Sequence, residues 1–282
     1  MNKRVLLPTD FSKNALNAIR FTLELYKNVR CDFYFLNAFH AKGYSLDSFL
    51  VPEPGEHYYE AEKSTSEKEM KQLIEGLRFQ PKNSNHTYHS ICSFNSLLLA
   101  TENIIKTKDI DIIIMGTKGI TDDSNAVLGT NSIGIMEKIT QCPVLAIPAQ
   151  FSFSPPKEIV FPTDYKTPFK RAKLGYMFEI AKIHKTSIRI LHIEKSEFLT
   201  KDQENNKMLL TEMLQDIDHS FHTLSKVGIN EGVEAFIESR GSDMIAFLNR
   251  KHRFFSSILS NPLIKELGYY SKIPILVLKD NS

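Results

Sequence analysis

The feature that most limits what this chain can fold into is that it is written twice. Val5-Leu6-Leu7-Pro8-Thr9-Asp10 returns as Ile159-Val160-Phe161-Pro162-Thr163-Asp164, and in both copies a helical pattern follows the Pro-Thr-Asp. In the first copy Ala15, Ala18, Ile19, Thr22 and Tyr26 fall at i, i+3, i+4 spacing, which marks one buried helix face. The second helix is expected from about Pro168 to His184. Each helix is followed by another short apolar run, 33–38 and 188–193, and each copy closes on a run containing proline, 142–147 and 273–278. Apolar runs alternating with helical patterns imply βαβ units and a parallel sheet covered on both faces. The expected fold is α/β: two tandem doubly wound domains of five parallel strands each, 1–149 and 158–280. Ala149 to Lys157, with Pro155-Pro156, reads as the linker.

The copies differ in length. Pro8 to Pro143 is 135 positions, but Pro162 to Pro274 is only 112. Aligning His86-Thr87-Tyr88-His89 with His219-Ser220-Phe221-His222 assigns 21 of the 23 missing positions to the region around 40–80 and two to the Gly-rich loop. The former region holds Pro52, Glu53, Pro54, Gly55 and a charged helix near Glu60 to Leu77. The His pairs invite a metal hypothesis, but residues three apart on a strand point to opposite faces, so no metal ligand is assigned.

Composition narrows the class of protein. With 42% hydrophobic and 24% charged residues, the chain has the make-up of a globular protein rather than a disordered one. A net charge of +2 gives no argument for nucleic acid or anionic lipid as a partner. Val5–Leu7 is too short for a signal-peptide core, and no stretch approaches the roughly 20 apolar residues of a membrane helix. Three cysteines without zinc-like spacing suit a reducing compartment, and the expected location is the cytoplasm.

The clearest buried strand, Asp111 to Met115, runs into Gly116-Thr117-Lys118-Gly119, and Gly129-Thr130-Asn131-Ser132 then opens a helix. Ligands of doubly wound sheets bind beyond the carboxyl ends of the strands. Gly116 and Gly119 would let backbone N–H groups approach a phosphate, and Gly129 and Thr130 would place it at a helix N-terminus. Thr130 and Ser132 add hydroxyl donors and Lys118 a charge. Ordinary turn and cap chemistry would explain the same residues. The loop is neither a Walker A sequence nor a dinucleotide GxGxxG.

The pattern Gly116-x2-Gly119-x9-Gly129-Thr130 resembles, without a gap, the nucleotide-binding signature G-x2-G-x9-G-S/T of the universal stress protein family. Pro8-Thr9-Asp10-Phe11-Ser12 resembles that family's opening strand-to-helix turn, 111–116 its strand before the loop, and Cys142-Pro143-Val144-Leu145 its closing strand. The resemblance implies a Rossmann-like, adenine-nucleotide-binding α/β sandwich and ATP, ADP or AMP as ligand, with or without Mg²⁺. Carried over residue by residue, Pro8, Thr9 and Asp10 would meet the nucleotide, with Asp10 close to the ribose or a metal. The backbone around Ala38 would face adenine. Gly116, Gly119, Gly129, Thr130 and Ser132 would contact the phosphates, with Met115, Lys118 and Asn131 beside them. Pairing through the final strand in many family members implies pseudo-symmetric docking of the two copies across 144–147 and 275–278, and leaves a homodimer open. Asp122 and Asp123 depart from the family's basic or neutral pattern. They either point to solvent or help to hold Mg²⁺.

The second copy lacks the loop. Leu248 stands in place of a glycine and Ser260-Asn261-Pro262 in place of Gly-Thr, so one nucleotide site is expected per chain. The run Arg250 to Arg253 reads as a solvated turn, or as cations for an acidic partner or for phosphates. With no paired carboxylates or general base near the loop, no catalytic residue is assigned. The expected function is that of a nucleotide-binding stress or signalling protein. The alternatives are a slow ATP hydrolase or phosphotransferase, and a nucleotide-free scaffold.

Overall fold

A computed structural model of the chain describes residues 2–39, 56–78, 83–117, 129–194, 198–249 and 272–279. These fall into two compact units, one within residues 2–153 and the other within 154–279. The N-terminal unit alternates β1 (Lys3–Pro8), α1 (Lys13–Leu25), β2 (Cys31–Phe39), α2 (His57–Arg78), β3 (His86–Phe94), α3 (Leu97–Lys108), β4 (Ile112–Gly116), α4 (Thr130–Lys138) and β5 (Val144–Ile147). The C-terminal unit contains β6 (Glu158–Pro162), α5 (Arg171–His184), β7 (Ser187–Ile193), α6 (Lys201–Met213), β8 (His219–Leu224), α7 (Ile229–Arg240), β9 (Met244–Asn249) and β10 (Ile275–Lys279).

Strand order is β3-β2-β1-β4-β5 in the first unit and β8-β7-β6-β9-β10 in the second, with parallel pairing within each. The order reverses beside the first strand of each unit, which opens a crevice at the carboxyl ends of β1 and β4. Central strands are covered on both faces, so they are apolar throughout: Val5 to Leu7 and Ile112 to Ile114 are fully buried. The expected α/β fold of two doubly wound five-stranded units is the one observed.

Local chemistry fixes the helices. The Ser12 side chain accepts from Ala15 N and caps α1, whose Ala15, Ala18, Ile19 and Thr22 are buried. Ser96 caps α3 in the same way. The stretch read as a linker packs in part onto α1. The Asn17 amide donates to the carbonyls of Pro148 and Phe151, and the Phe21 ring meets those of Phe151 and Phe153, so the N-terminal unit continues through Phe153.

The strand registers correct the alignment of the copies. Val5 pairs with Phe33 and Ile159 with Ile188; Phe33 pairs with Tyr88 but Ile188 with His219. His219 is thus equivalent to Tyr88, two residues along from His86. Tyr88 to Pro143 and His219 to Pro274 are then both 55 positions. The whole 23-residue excess therefore lies before β3, and no net difference remains in the segment that carries the glycine loop. The two His pairs matched because they are short polar patterns on equivalent strands, not because they do the same work. His86 donates a ring N–H to the Tyr26 carbonyl, whereas His89 stacks on Tyr34.

Candidate functional site

The crevice of the N-terminal unit is built from three strand ends and three helix starts. β1 delivers Pro8 into a turn whose geometry is fixed by its own side chains. The Thr9 hydroxyl oxygen accepts from Phe11 N (3.0 Å) and the Asp10 carboxylate from Ser12 N (3.1 Å). Phe11 sits at φ 62, the left-handed region that non-glycine residues enter at a cost, so the turn depends on those bonds. β2 brings Ala38 alongside, and β4 ends at Gly116. Gly129 then caps α4 without a side chain, and its N–H donates to the Thr117 carbonyl at 2.7 Å.

Together Pro8, Thr9, Asp10, Ala38, Met115, Gly116, Asn131 and Ser132 line one cleft, joined by Ala15 and Leu97. Eight residues singled out in the sequence thus converge. Gly129 and Thr130 stand at the adjoining start of α4. Lys118, Gly119, Asp122 and Asp123 lie outside the described residues, as do Arg250 to Arg253 and Ser260 to Pro262. Ala15 and Leu97 were not expected. The first looks like core in the helical pattern, and the second follows the Ser96 cap, so neither announces a site.

Two residues work differently from their sequence reading. A Cβ on Gly116 would lie 3.1 Å from the Asn14 carbonyl oxygen, so glycine here lets β4 abut the first turn of α1. The Ser132 hydroxyl donates to the Gly116 carbonyl at 2.9 Å and is buried, so its proton ties α4 to β4 rather than facing the cleft. Asp10 is the one ionisable residue among the described lining. Positive character at this end of the crevice comes from the first-turn N–H groups of α4, which have no intrahelical acceptors. The described walls enclose about 90 Å³. Small-molecule sites usually span about 300–1,000 Å³, so a nucleotide would extend beyond these walls.

The C-terminal unit repeats the turn with larger side chains at two of the positions that line the cleft. Thr163 accepts from Tyr165 N, Asp164 from Lys166 N, and Tyr165 lies at φ 55. The registers place Ile193 where the first unit has Ala38, and Leu248 where it has Gly116. Both side chains are buried. Leu248 fits because α5 starts seven residues after Asp164, whereas α1 starts three after Asp10. This later start, at Arg171 rather than Pro168, removes the helical turn that Gly116 abuts.

A family model described as the universal stress protein family matches residues 1–148. The chain belongs to the universal stress protein family. Among solved structures, a universal stress protein from Archaeoglobus fulgidus DSM 4304 matches with a TM-score of 0.67 at 16% identity, covering 98% of this chain and 96% of that one. A putative universal stress protein from Pseudomonas aeruginosa UCBPP-PA14 gives 0.59 at 11% identity, with 99% and 93% covered. The cytoplasmic domain of a prokaryotic cation chloride cotransporter gives 0.52 at 10% identity, with 99% and 96% covered. At such identities the likeness is one of fold, and its third example shows the same architecture under a different name. A search of curated proteins found no match. No helix among the described residues is long and apolar enough to cross a membrane.

Proposed function

We propose that this universal stress protein binds one adenine nucleotide, ATP or its shorter ADP and AMP forms, in the cleft of the N-terminal unit. The observation that carries the reading is the contrast at one pair of equivalent positions: Ala38 leaves open, beside Gly116, a space that the larger, buried Ile193 takes up in the second unit. Thr9 and Asp10 carry less weight, because their turn recurs in the unit whose cleft is filled. In this reading the base lies against Ala38 and Leu97. The phosphates run past Gly116 to the start of α4, where Gly129, Thr130 and Asn131 meet them together with Lys118 and Gly119. Mg²⁺ would accompany the phosphates. Nucleotide occupancy then serves a stress or signalling role rather than turnover.

Titration of the purified protein with ATP tests this. At 100-fold excess over its dissociation constant, ATP should stabilise the fold by about 2.7 kcal/mol, seen as a raised melting temperature. Gly129→Glu, which brings a carboxylate to the phosphate end, should abolish the shift. A wild-type protein that shows no shift and releases no nucleotide on denaturation would leave the scaffold reading in its place.

A further inference from the structure

Beneath the cleft, a chain of buried polar side chains crosses an otherwise apolar layer. Asn37 lies on β2 next to Ala38 and is 8% exposed. Its amide donates to the Thr9 carbonyl at 2.8 Å, and its own oxygen accepts from the Ser66 hydroxyl at 2.7 Å. Ser66, 3% exposed, is in the middle of α2, and it is also hydrogen-bonded to the Cys92 thiol on β3. Thr9 and Asp10 line the cleft, so α2 is wired to the cleft floor through two hydrogen bonds although none of its own residues lines it.

The C-terminal unit solves the same problem in another way. His192, equivalent to Asn37, reaches the Thr163 carbonyl at 2.9 Å with Nδ1. Its helix α6 fastens the turn directly: Gln203 donates to the Asp164 carbonyl and Asn206 to the Tyr165 carbonyl, both at 2.7 Å. There the helix clamps a turn beside a filled cleft. In the N-terminal unit the turn and the helix are linked by one amide that bonds to both. A buried amide satisfied on both sides has a specific geometry to defend, because breaking either bond leaves a desolvated group unpaired.

We infer that Asn37 is a positioning residue of the nucleotide cleft, and that through Ser66 it makes α2 respond to the cleft's occupancy. The inference rests on the nucleotide reading. Ligand contact at Thr9 and Asp10 narrows the positions of the Thr9 carbonyl, hence of the Asn37 amide, hence of Ser66 and α2. Cys92 supplies a built-in reporter. It lies half-buried in a groove of about 490 Å³ lined by Met70, Lys71 and Ile74 of α2, whereas Cys31 and Cys142 are buried.

The experiment measures ATP affinity by calorimetry and alkylation of Cys92 by iodoacetamide through peptide mass spectrometry, with and without ATP, in the full chain. In wild type, ATP should slow Cys92 alkylation several-fold. Asn37→Leu should weaken ATP binding about tenfold, and Asn37→His, which borrows the donor of the other unit, should recover most of that loss. Ser66→Ala should bind ATP close to wild type yet lose the ATP-dependent slowing at Cys92. A global loss of fold would not produce that split. Wild type that binds no ATP overturns the nucleotide reading and this inference with it. Wild type that binds ATP overturns this inference alone if Asn37→Leu binds equally well, or if Ser66→Ala keeps the slowing.

Discussion

The two units share strand order, register and the Thr-Asp turn, yet at the strand ends the N-terminal unit has a cleft where the described residues of its copy place larger side chains. The difference comes down to side-chain volume at two backbone positions and to where one helix begins. Ala38 and Gly116 become Ile193 and Leu248, and the helix after the turn starts four residues later. The turn itself survives because it is a folding device. Its hydroxyl and carboxylate satisfy backbone N–H groups in both units, whether or not a ligand could follow. A motif that survives in a closed site is therefore poor evidence for binding, and the emptiness beside it is better evidence.

The largest effect should come from forcing the second unit's side chain into the first. In Gly116→Leu the new Cβ would press on the Asn14 carbonyl of a helical turn that the C-terminal unit lacks. Overpacking of this kind costs about 1–3 kcal/mol, and the backbone contact puts this case at the upper end. Urea denaturation should show that loss, and ATP should no longer stabilise the variant. If the stability is unchanged, the contact with α1 is not what holds glycine at 116, and the later start of α5 would need another explanation.

A second contrast lies at the opposite ends of the strands. Arg4 and Glu158 are equivalent residues entering the first strand of each unit. Arg4 makes a surface ion pair with Asp109, whose side chain is 86% exposed, and such pairs contribute little. Glu158 is 13% exposed and receives Arg240, Arg189 and Ser242 at 2.7–2.8 Å. Burial alone would raise its pKa, but the hydrogen bonds from Arg240, Arg189 and Ser242 outweigh it and hold the carboxyl at about 2. A folded value below the usual 4.5 means the stabilisation is fully present above about pH 4.5 and disappears as the pH falls towards 2. Glu158→Gln should therefore cost about 2–3 kcal/mol at pH 7 and flatten the acid limb of the stability profile between those values. An acid limb as steep as that of wild type would show that other carboxylates govern it.

Much of this comparison can be read in the sequence, and the gaps have physical causes. Gly116 opposite Leu248 is legible because both follow an aspartate at the head of an apolar strand, and apolar strands align well. The His pairs align wrongly because a two-residue slip on a strand preserves the alternation of faces and so leaves no trace in the pattern. The later start of α5, at Arg171 rather than Pro168, is hidden because the helical signal includes residues that only tertiary packing excludes. Asn37 is visible as a polar residue in an apolar strand, but its partner Ser66 is 29 positions away and sits unremarked in a charged helix. Leu97 and Ala15 look like core until the crevice beside them is seen.

The smallest change to the fold should give the clearest answer about the cleft. Ala38→Ile installs Ile193's side chain at a position that faces open space in the first unit, so it displaces no packed neighbour. Stability without nucleotide should stay within about 1 kcal/mol of wild type, as for a change away from buried packing. The ATP-dependent rise in melting temperature should nevertheless vanish, because the added branched side chain occupies the space assigned to the base. Gly116→Leu cannot make this distinction, since it disturbs packing and cleft together. If Ala38→Ile keeps the full ATP shift, adenine does not lie against β2, and the contrast between Ala38 and Ile193 reflects only how each unit packs its second strand. If the shift is lost while the apo protein melts as before, the open position on β2 is what separates a binding unit from its closed copy.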